Sequence, residues 1–293
     1  GIFGYTRVPE EYYDAVISWF SRRHHWKPRR EWFIYTSGVV PALSAVIKAL
    51  TNVGDKVLTL TPVYNCFFSS IRNNGCELDS CALRYEDNTF SIDYEDLERR
   101  AADPKTTLML LCNPHNPSGR VWTREELRRI GDICIKNNVV VVADEIHCEL
   151  VHPGFTYTPF ASVSEEFQKH SVICVAPSKA FNIAGLQIAN IIVENDKWRQ
   201  RIDKAININE VCDVNPFGVI ATIAAYNEGE EWLNQLLQYI HGNYLFFKDY
   251  CEEHLPQLPV APLEGTYLAW MDCRSLGIPS EELEEELMKN AKL

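Results

Sequence analysis

The sequence predicts an α/β fold, a mostly parallel sheet with helices on both faces, and three observations carry that prediction. Residues 108–111 (LMLL), 139–142 (VVVV) and 172–175 (VICV) are short apolar runs without alternation. Strands read this way when both faces are covered, as in parallel sheets flanked by helices. Between the first two runs lies a helical stretch, 123–138, with Thr123 placed as N-cap and Glu126 three residues on, a capping box. Strand, capped helix, strand is the βαβ unit, and parallel neighbours require such a crossover.

The elements follow in order. Residues 40–50 form an apolar helix that stops near Asn52 and Gly54. A strand is expected over 57–60, followed by the strand, helix and strand already named, and then the strand at 172–175. From about residue 244 the pattern changes to a helix (244–254), a turn rich in proline (Pro256, Pro259, Pro262), a strand (266–271) and a helix (280–289). A large unit over 1–243 and part of a smaller α+β unit over 244–293 are therefore expected. The acidic stretch 281–286 (EELEEE) reads as a solvated helix face.

Forty acidic against 28 basic residues, a net charge of −12, argue against nucleic acid or an anionic membrane surface as the main partner. A small anionic ligand stays compatible, because a helix start presents free N–H groups whatever the global charge. Ten cysteines are scattered, several within apolar strands, and no C-x-x-C pair occurs. They read as reduced, packed thiols of a cytoplasmic protein. No apolar run approaches the ~20 residues of a membrane span.

In parallel sheets, ligands bind beyond the carboxyl ends of the strands. After 108–111 comes Asn113-Pro114-His115-Asn116-Pro117-Ser118-Gly119, after 139–142 comes Asp144-Glu145-Ile146-His147, and after 172–175 comes Pro177-Ser178-Lys179. Tyr35-Thr36-Ser37-Gly38 stands before the first helix. An amine, a carboxylate, an amide and a helix start are thus expected on one rim. Pyridoxal phosphate needs this set: a lysine for its aldehyde, an acid for its ring nitrogen, a donor for its phenolic oxygen and N–H groups for its phosphate.

Taken singly, each feature has a plainer reading as a surface lysine, a helix cap or a turn. A nucleotide-binding protein would need G-x-G-x-x-G or G-x-x-x-x-G-K-[ST], and neither occurs. A partner-binding protein that merely keeps the fold would have no use for Lys179, Asp144 and Asn116 together.

With NPHNPSG, ADEIH and PSKAFNIAG in this order, supported by Thr61-Pro62-Val63-Tyr64 and Gly265-Thr266-Tyr267-Leu268-Ala269-Trp270, the chain resembles the fold-type I pyridoxal-phosphate enzymes of the class I/II aminotransferase superfamily. Within it the chain is most similar to C–S β-lyases of the cystathionine β-lyase and cystalysin kind. The resemblance implies that Lys179 forms the Schiff base and acts as base at Cα, and that Tyr64 stacks on the ring as a second catalytic group. Asp144 is implied to pair with the ring nitrogen. Asn116 would bond the phenolic oxygen, with His147 nearby. Gly38, Val39, Val40 and Ser178 would hold the phosphate. Tyr5 is implied to reach the cofactor of a partner subunit, and so a homodimer is expected.

The implied reaction is α,β-elimination of L-cystathionine or L-cysteine, with an aminotransferase of broad specificity as the alternative. Two departures stand out. Where many aminotransferases carry a serine and an arginine on the phosphate, this chain has Ala176 and Gln187. The arginine that clamps the substrate carboxylate in such enzymes is expected beyond residue 293, and the smaller unit is accordingly expected to be incomplete.

Overall fold

In the computed structural model, residues 4–208 and 214–291 are described. The strands are β1 (Phe33–Thr36), β2 (Lys56–Thr61), β3 (Glu77–Ala82), β4 (Arg84–Glu86), β5 (Thr89–Ser91), β6 (Thr106–Cys112), β7 (Val140–Asp144), β8 (Ser171–Val175) and β9 (Ala189–Ile192). The α-helices are α1 (Glu10–His24), α2 (Val39–Leu50), α3 (Asn65–Asn73), α4 (Tyr94–Ala101), α5 (Arg124–Lys136), α6 (Glu165–Lys169), α7 (Asp196–Asn207), α8 (Pro216–Glu228), α9 (Glu230–His254) and α10 (Ser280–Glu286).

Seven strands form one sheet in the order β1-β9-β8-β7-β6-β2-β3, and β4 and β5 form a separate hairpin. The pairs from β8 through β3 are parallel, whereas β9 runs antiparallel to both β8 and β1. Reversal of β9 has a positional consequence. The carboxyl ends of β1, β2, β6, β7 and β8 share an edge of the sheet with the start of β9.

The apolar runs are buried on both faces, as their lack of alternation predicts. Leu108, Leu110, Val142 and Val172 pack with α2, α3 and α7 on one side. Met109, Leu111, Val141 and Ile173 pack with α1, α5 and α8 on the other. The expected capping box is formed: Thr123 Oγ1 accepts the Glu126 N–H, and the Glu126 carboxylate accepts the Thr123 N–H. The helix ends where Asn138 turns left-handed (φ 56°).

Three expectations are corrected. The helix expected over 244–254 is the second half of α9, which begins at Glu230. Residues 266–271 form no strand, because Thr266 (φ 68°) leaves the extended region and only the isolated bridges Val151–Gly265 and Val260–Met271 remain. The helix over 280–289 is α10 up to Glu286 and widens to a π-turn over Leu287–Ala291. The acidic face of α10 is exposed, as expected.

The nine described cysteines are unpaired and seven are buried; Cys212 lies outside the described residues. Among the described residues no helix is long and apolar enough to cross a membrane.

Gly131 on α5 marks how closely the layers meet. A Cβ there would lie 2.2 Å from the Phe167 ring, which is itself stacked on Phe160 at 5.1 Å. Helix propensity favours alanine by up to ~1 kcal/mol, but forcing a methyl into a fixed ring costs ~1–3 kcal/mol. Gly131→Ala is therefore expected to lower stability by about 1 kcal/mol or more, read from the urea midpoint; an unchanged midpoint would show that the ring yields.

Candidate active site

At the shared sheet edge lies a cavity of about 420 Å³. Its lining includes Gly38, Val39, Val40, Tyr64, Asn116, Asp144, His147, Ser178 and Lys179, nine of the ten candidate residues. The tenth, Tyr5, lies outside that lining and is 99% exposed.

The fold explains the convergence. In-register pairing of β6 with β7 sets Cys112 beside Asp144, and β7 with β8 sets Asp144 beside Cys174. The acid is thus fixed in the middle of the sheet. Asn116 is tied to the β2 end, since its carbonyl accepts the Tyr64 N–H at 3.1 Å. Lys179 follows β8 directly, half-buried, and its Nζ makes no hydrogen bond among the described residues.

Asp144 is 4% exposed and has no ion-pair partner among the described residues. Its Oδ1 accepts only the Ile146 N–H, at 3.2 Å. Burial pushes its carboxyl up to about 7, against the opposing pull of that N–H and of the Lys179 charge. A buried acid in this state is short of a cation. His147 is 3% exposed, and its Nδ1 has no partner. Burial, aided by Lys179, lowers it to about 4, so the ring is neutral near pH 7. Tyr64 is pushed up to about 12 by its bond to Cys66 and by burial, and stays a neutral phenol.

The start of α2 supplies a different chemistry. Gly38 offers no side-chain cap, Pro41 has no N–H, and the Ala42 N–H already bonds the Gly38 carbonyl. That leaves the N–H groups of Val39 and Val40 without a cap at a cavity that Ser178 also lines, an arrangement suited to an anion. A buried unpaired acid, an orphaned imidazole nitrogen, a free amine and an uncapped helix start fit a flat cationic ring bearing a carbonyl and a phosphate.

Sequence reasoning left several lining residues without a role: Cys112, Ile146, Ile188, Tyr267 and Leu268; Gln187, which the resemblance sets where a phosphate arginine stands, is in the lining too. Ile188 arrives through the reversal of β9, which no local signal announces. Tyr267 arrives by a longer route. The Gly119 carbonyl accepts the N–H groups of Glu264 (3.0 Å) and Gly265 (2.8 Å), pinning the 264–268 segment to the NPHNPSG turn. The Tyr267 ring then stands edge-on to His147 at 5.7 Å.

Behind the rim, Glu145 is fully buried. Its Oε1 accepts the Asn113 amide (2.9 Å) and the Phe160 N–H (2.8 Å), and its Oε2 accepts the Tyr157 hydroxyl. Burial nonetheless raises it to about 7. Glu145→Ala strands the Phe160 N–H and the Tyr157 hydroxyl, leaves Asn113 only its bond to the Thr158 carbonyl, and is expected to cost ~3 kcal/mol, whereas Glu145→Gln keeps most of the contacts and costs less. Equal losses in chemical denaturation would contradict this account of the turn.

The aminotransferase class I and II family profile matches residues 1–293. Cystathionine beta-lyase PatB of Bacillus subtilis is 41% identical over 293 residues, spanning 100% of this chain and 76% of that protein. Protein MalY of Escherichia coli is 31% identical, spanning 100% and 75%. Among solved structures, cystalysin from Treponema denticola, which contains a pyridoxal 5'-phosphate cofactor, superposes with a TM-score of 0.98 at 36% identity, covering 100% of this chain and 74% of that one. The pyridoxal-phosphate-bound C–S lyase of Staphylococcus hominis gives 0.93 at 34%, covering 99% and 76%.

Proposed function

The chain belongs to the aminotransferase class I and II family, and from that premise we propose that it is a pyridoxal-phosphate-dependent C–S β-lyase. The observation that carries the reading is a single cavity holding a free lysine amine, a buried acid short of a cation, an amide and an uncapped helix start. Relatives named as cystathionine β-lyases and C–S lyases support it.

When bound, the cofactor supplies an electron sink for negative charge at the substrate Cα. The chain's own residues do the rest. Lys179 would hold the cofactor covalently through Nζ, and its amine is the group that would take the proton from the substrate Cα. Asp144 would keep a proton on the ring nitrogen, and the ion pair so formed is what its buried carboxylate otherwise lacks. Asn116 would donate to the phenolic oxygen, with the neutral His147 nearby, and Tyr64 would stack on the ring. The N–H groups of Val39 and Val40, opened by Gly38, and the Ser178 hydroxyl would hold the phosphate. With Gln187 in place of an arginine, that site relies on dipoles rather than full charge.

Overall, an amino acid bearing sulfur at Cβ and one water become pyruvate, ammonia and a thiol. L-Cystathionine and L-cysteine are the proposed substrates. Tyr5, exposed at the surface, is proposed to complete the site of a second subunit in a homodimer. Residues 1–243 are proposed as the cofactor-binding unit and 244–293 as part of a smaller one, with α9 joining them. The proposed location is the cytoplasm.

The test is pyruvate release by the full-length protein from L-cystathionine with no keto acid present. Catalytic release, many turnovers per subunit, is expected. Transamination without pyruvate would replace the lyase reading by the aminotransferase one.

A further inference from the structure

Thr266 is 1% exposed and adopts φ 68°, a conformation costly for a β-branched residue. Its polar groups are all engaged. Its N–H donates to the Leu150 carbonyl at 2.6 Å, its hydroxyl accepts the Leu268 N–H at 3.1 Å, and its carbonyl faces His152 Nε2 at 3.0 Å. The next residue is Tyr267, which lines the reaction cavity against His147 and also borders a second, mostly apolar pocket of about 240 Å³ that includes Phe247 and Leu263.

The third bond is unlike the others, because its donor is itself wired to another element. His152 Nδ1 lies 3.0 Å from His241 Nδ1 on α9. A carbonyl can only accept, so His152 Nε2 carries the hydrogen and its Nδ1 is bare. His241 must then donate from Nδ1. The chain of donors runs one way, from His241 to His152 to the Thr266 carbonyl.

We propose that His152 is a positioning residue for the active site, which, oriented by His241, holds the strained Thr266 and so fixes the Tyr267 wall of the substrate cavity. The inference rests on the lyase reading only for its kinetic consequence. Proton counting adds an acid limit. One proton on His241 leaves the relay intact. A second, on His152 Nδ1, sets N–H against N–H and breaks it. The other titratable groups facing His152 are Tyr244 on α9, whose ring centroid is 5.7 Å away, and Arg23 and His24 on α1 and Glu149 and Tyr157 of its own loop, which line a cavity with it. Glu149 is already paired with the Arg23 guanidinium at 3.1 Å and hydrogen-bonded to the His24 ring at 2.6 Å. Glu264, whose backbone carbonyl accepts the His152 N–H, is held by Arg120 at 2.9 Å. No full countercharge is therefore left to support a doubly protonated pair.

The test uses the full-length holoenzyme with ¹⁵N-labelled histidine. At pH 8 the ring spectra are expected to show His152 as the Nε2–H tautomer and His241 as the Nδ1–H tautomer. In His152→Ala the His147 ring signals are expected to move as Tyr267 leaves them. KM for L-cystathionine should then rise roughly tenfold or more while kcat changes little. Thr266→Gly, which removes the backbone strain, should restore most of that KM in the His152→Ala background. His241→Asn, whose amide can donate to the bare His152 Nδ1 and, turned over, can accept through Oδ1 once that nitrogen is protonated, should leave neutral KM near wild type and remove its acid-side rise. Unlinked tautomers with an unmoved His147 would overturn the proposal. An enzyme that releases no pyruvate fails the lyase reading instead, and the tautomer and His147 readouts then decide the relay alone.

Discussion

Lys179→Ala is expected to lower pyruvate release by roughly 10²–10⁴-fold, the range associated with losing a positioned proton-transfer group, and toward its upper end because the covalent hold on the cofactor goes too. Among the residues lining the cavity, Lys179 is the only amine. No neighbour can take over: burial lowers His147, the other basic group there, to about 4, which makes it a far weaker base than an amine. The fold should be indifferent to the change, since Lys179 makes no hydrogen bond among the described residues and removal leaves only space in an open cavity. Circular dichroism and urea midpoints near wild type, with activity gone, are the expected pair of results. A loss of less than tenfold would mean that the proton is moved by another group.

Asp144→Asn is expected to act in opposite directions on activity and on the stability of the cofactor-free protein. Activity should fall roughly 10²–10³-fold, the scale of deleting one preorganised electrostatic partner. Stability should rise. The acid titrates near 3.8 when unfolded and at about 7 when folded, so the folded state binds its proton more tightly. Such a group favours folding fully below pH ~4 and loses that contribution as pH climbs toward ~7. Asparagine has no charge to bury, and its amide oxygen can still accept the Ile146 N–H. The stability difference, variant minus wild type, should therefore be small at pH 4 and grow to roughly 4 kcal/mol by pH 8. His115 and His147, both lowered to about 4, titrate in both proteins and cancel in the difference, whereas Glu145, raised to about 7 in part by the Asp144 charge, is relieved in the variant and adds to the difference with the same sign. Urea midpoints of both apo proteins at pH 5 and pH 8 give the sign. A variant less stable than wild type at pH 8 would show that Asp144 already has a partner in the empty site.

Much of the site is legible in the chain because it sits where regular structure stops. Buried parallel strands must be apolar, so the first polar residues after them (Asn113, Asp144, Ser178 and Lys179) announce the strand ends and hence the rim. The α2 start is announced by an apolar helix with glycine before it. What the chain conceals depends on long-range contacts. β1 and β9 are only four residues each, and β9 reverses, so the arrival of Ile188 at the rim follows from topology alone. The aromatic helix α1 lacks a clean apolar stripe because Trp19 and Tyr12 are buried beside charged neighbours such as Arg23, whose partners, Glu149 and Glu230, come from remote segments. The GTYLAW run looks like a strand, and would be one if Thr266 kept extended angles. Three bonds from Leu150, Leu268 and His152 hold it otherwise. His152 and His241 are 89 residues apart in sequence, and nothing local pairs them.

The most direct test of the central claim is the visible spectrum of the purified full-length protein after addition of pyridoxal phosphate, read alongside Lys179→Ala. A near-violet band that is lost on borohydride reduction, leaving the cofactor attached to the wild-type chain and not to the variant, is the predicted result. A protein that takes up no cofactor, or a variant that retains it covalently as wild type does, would contradict the account.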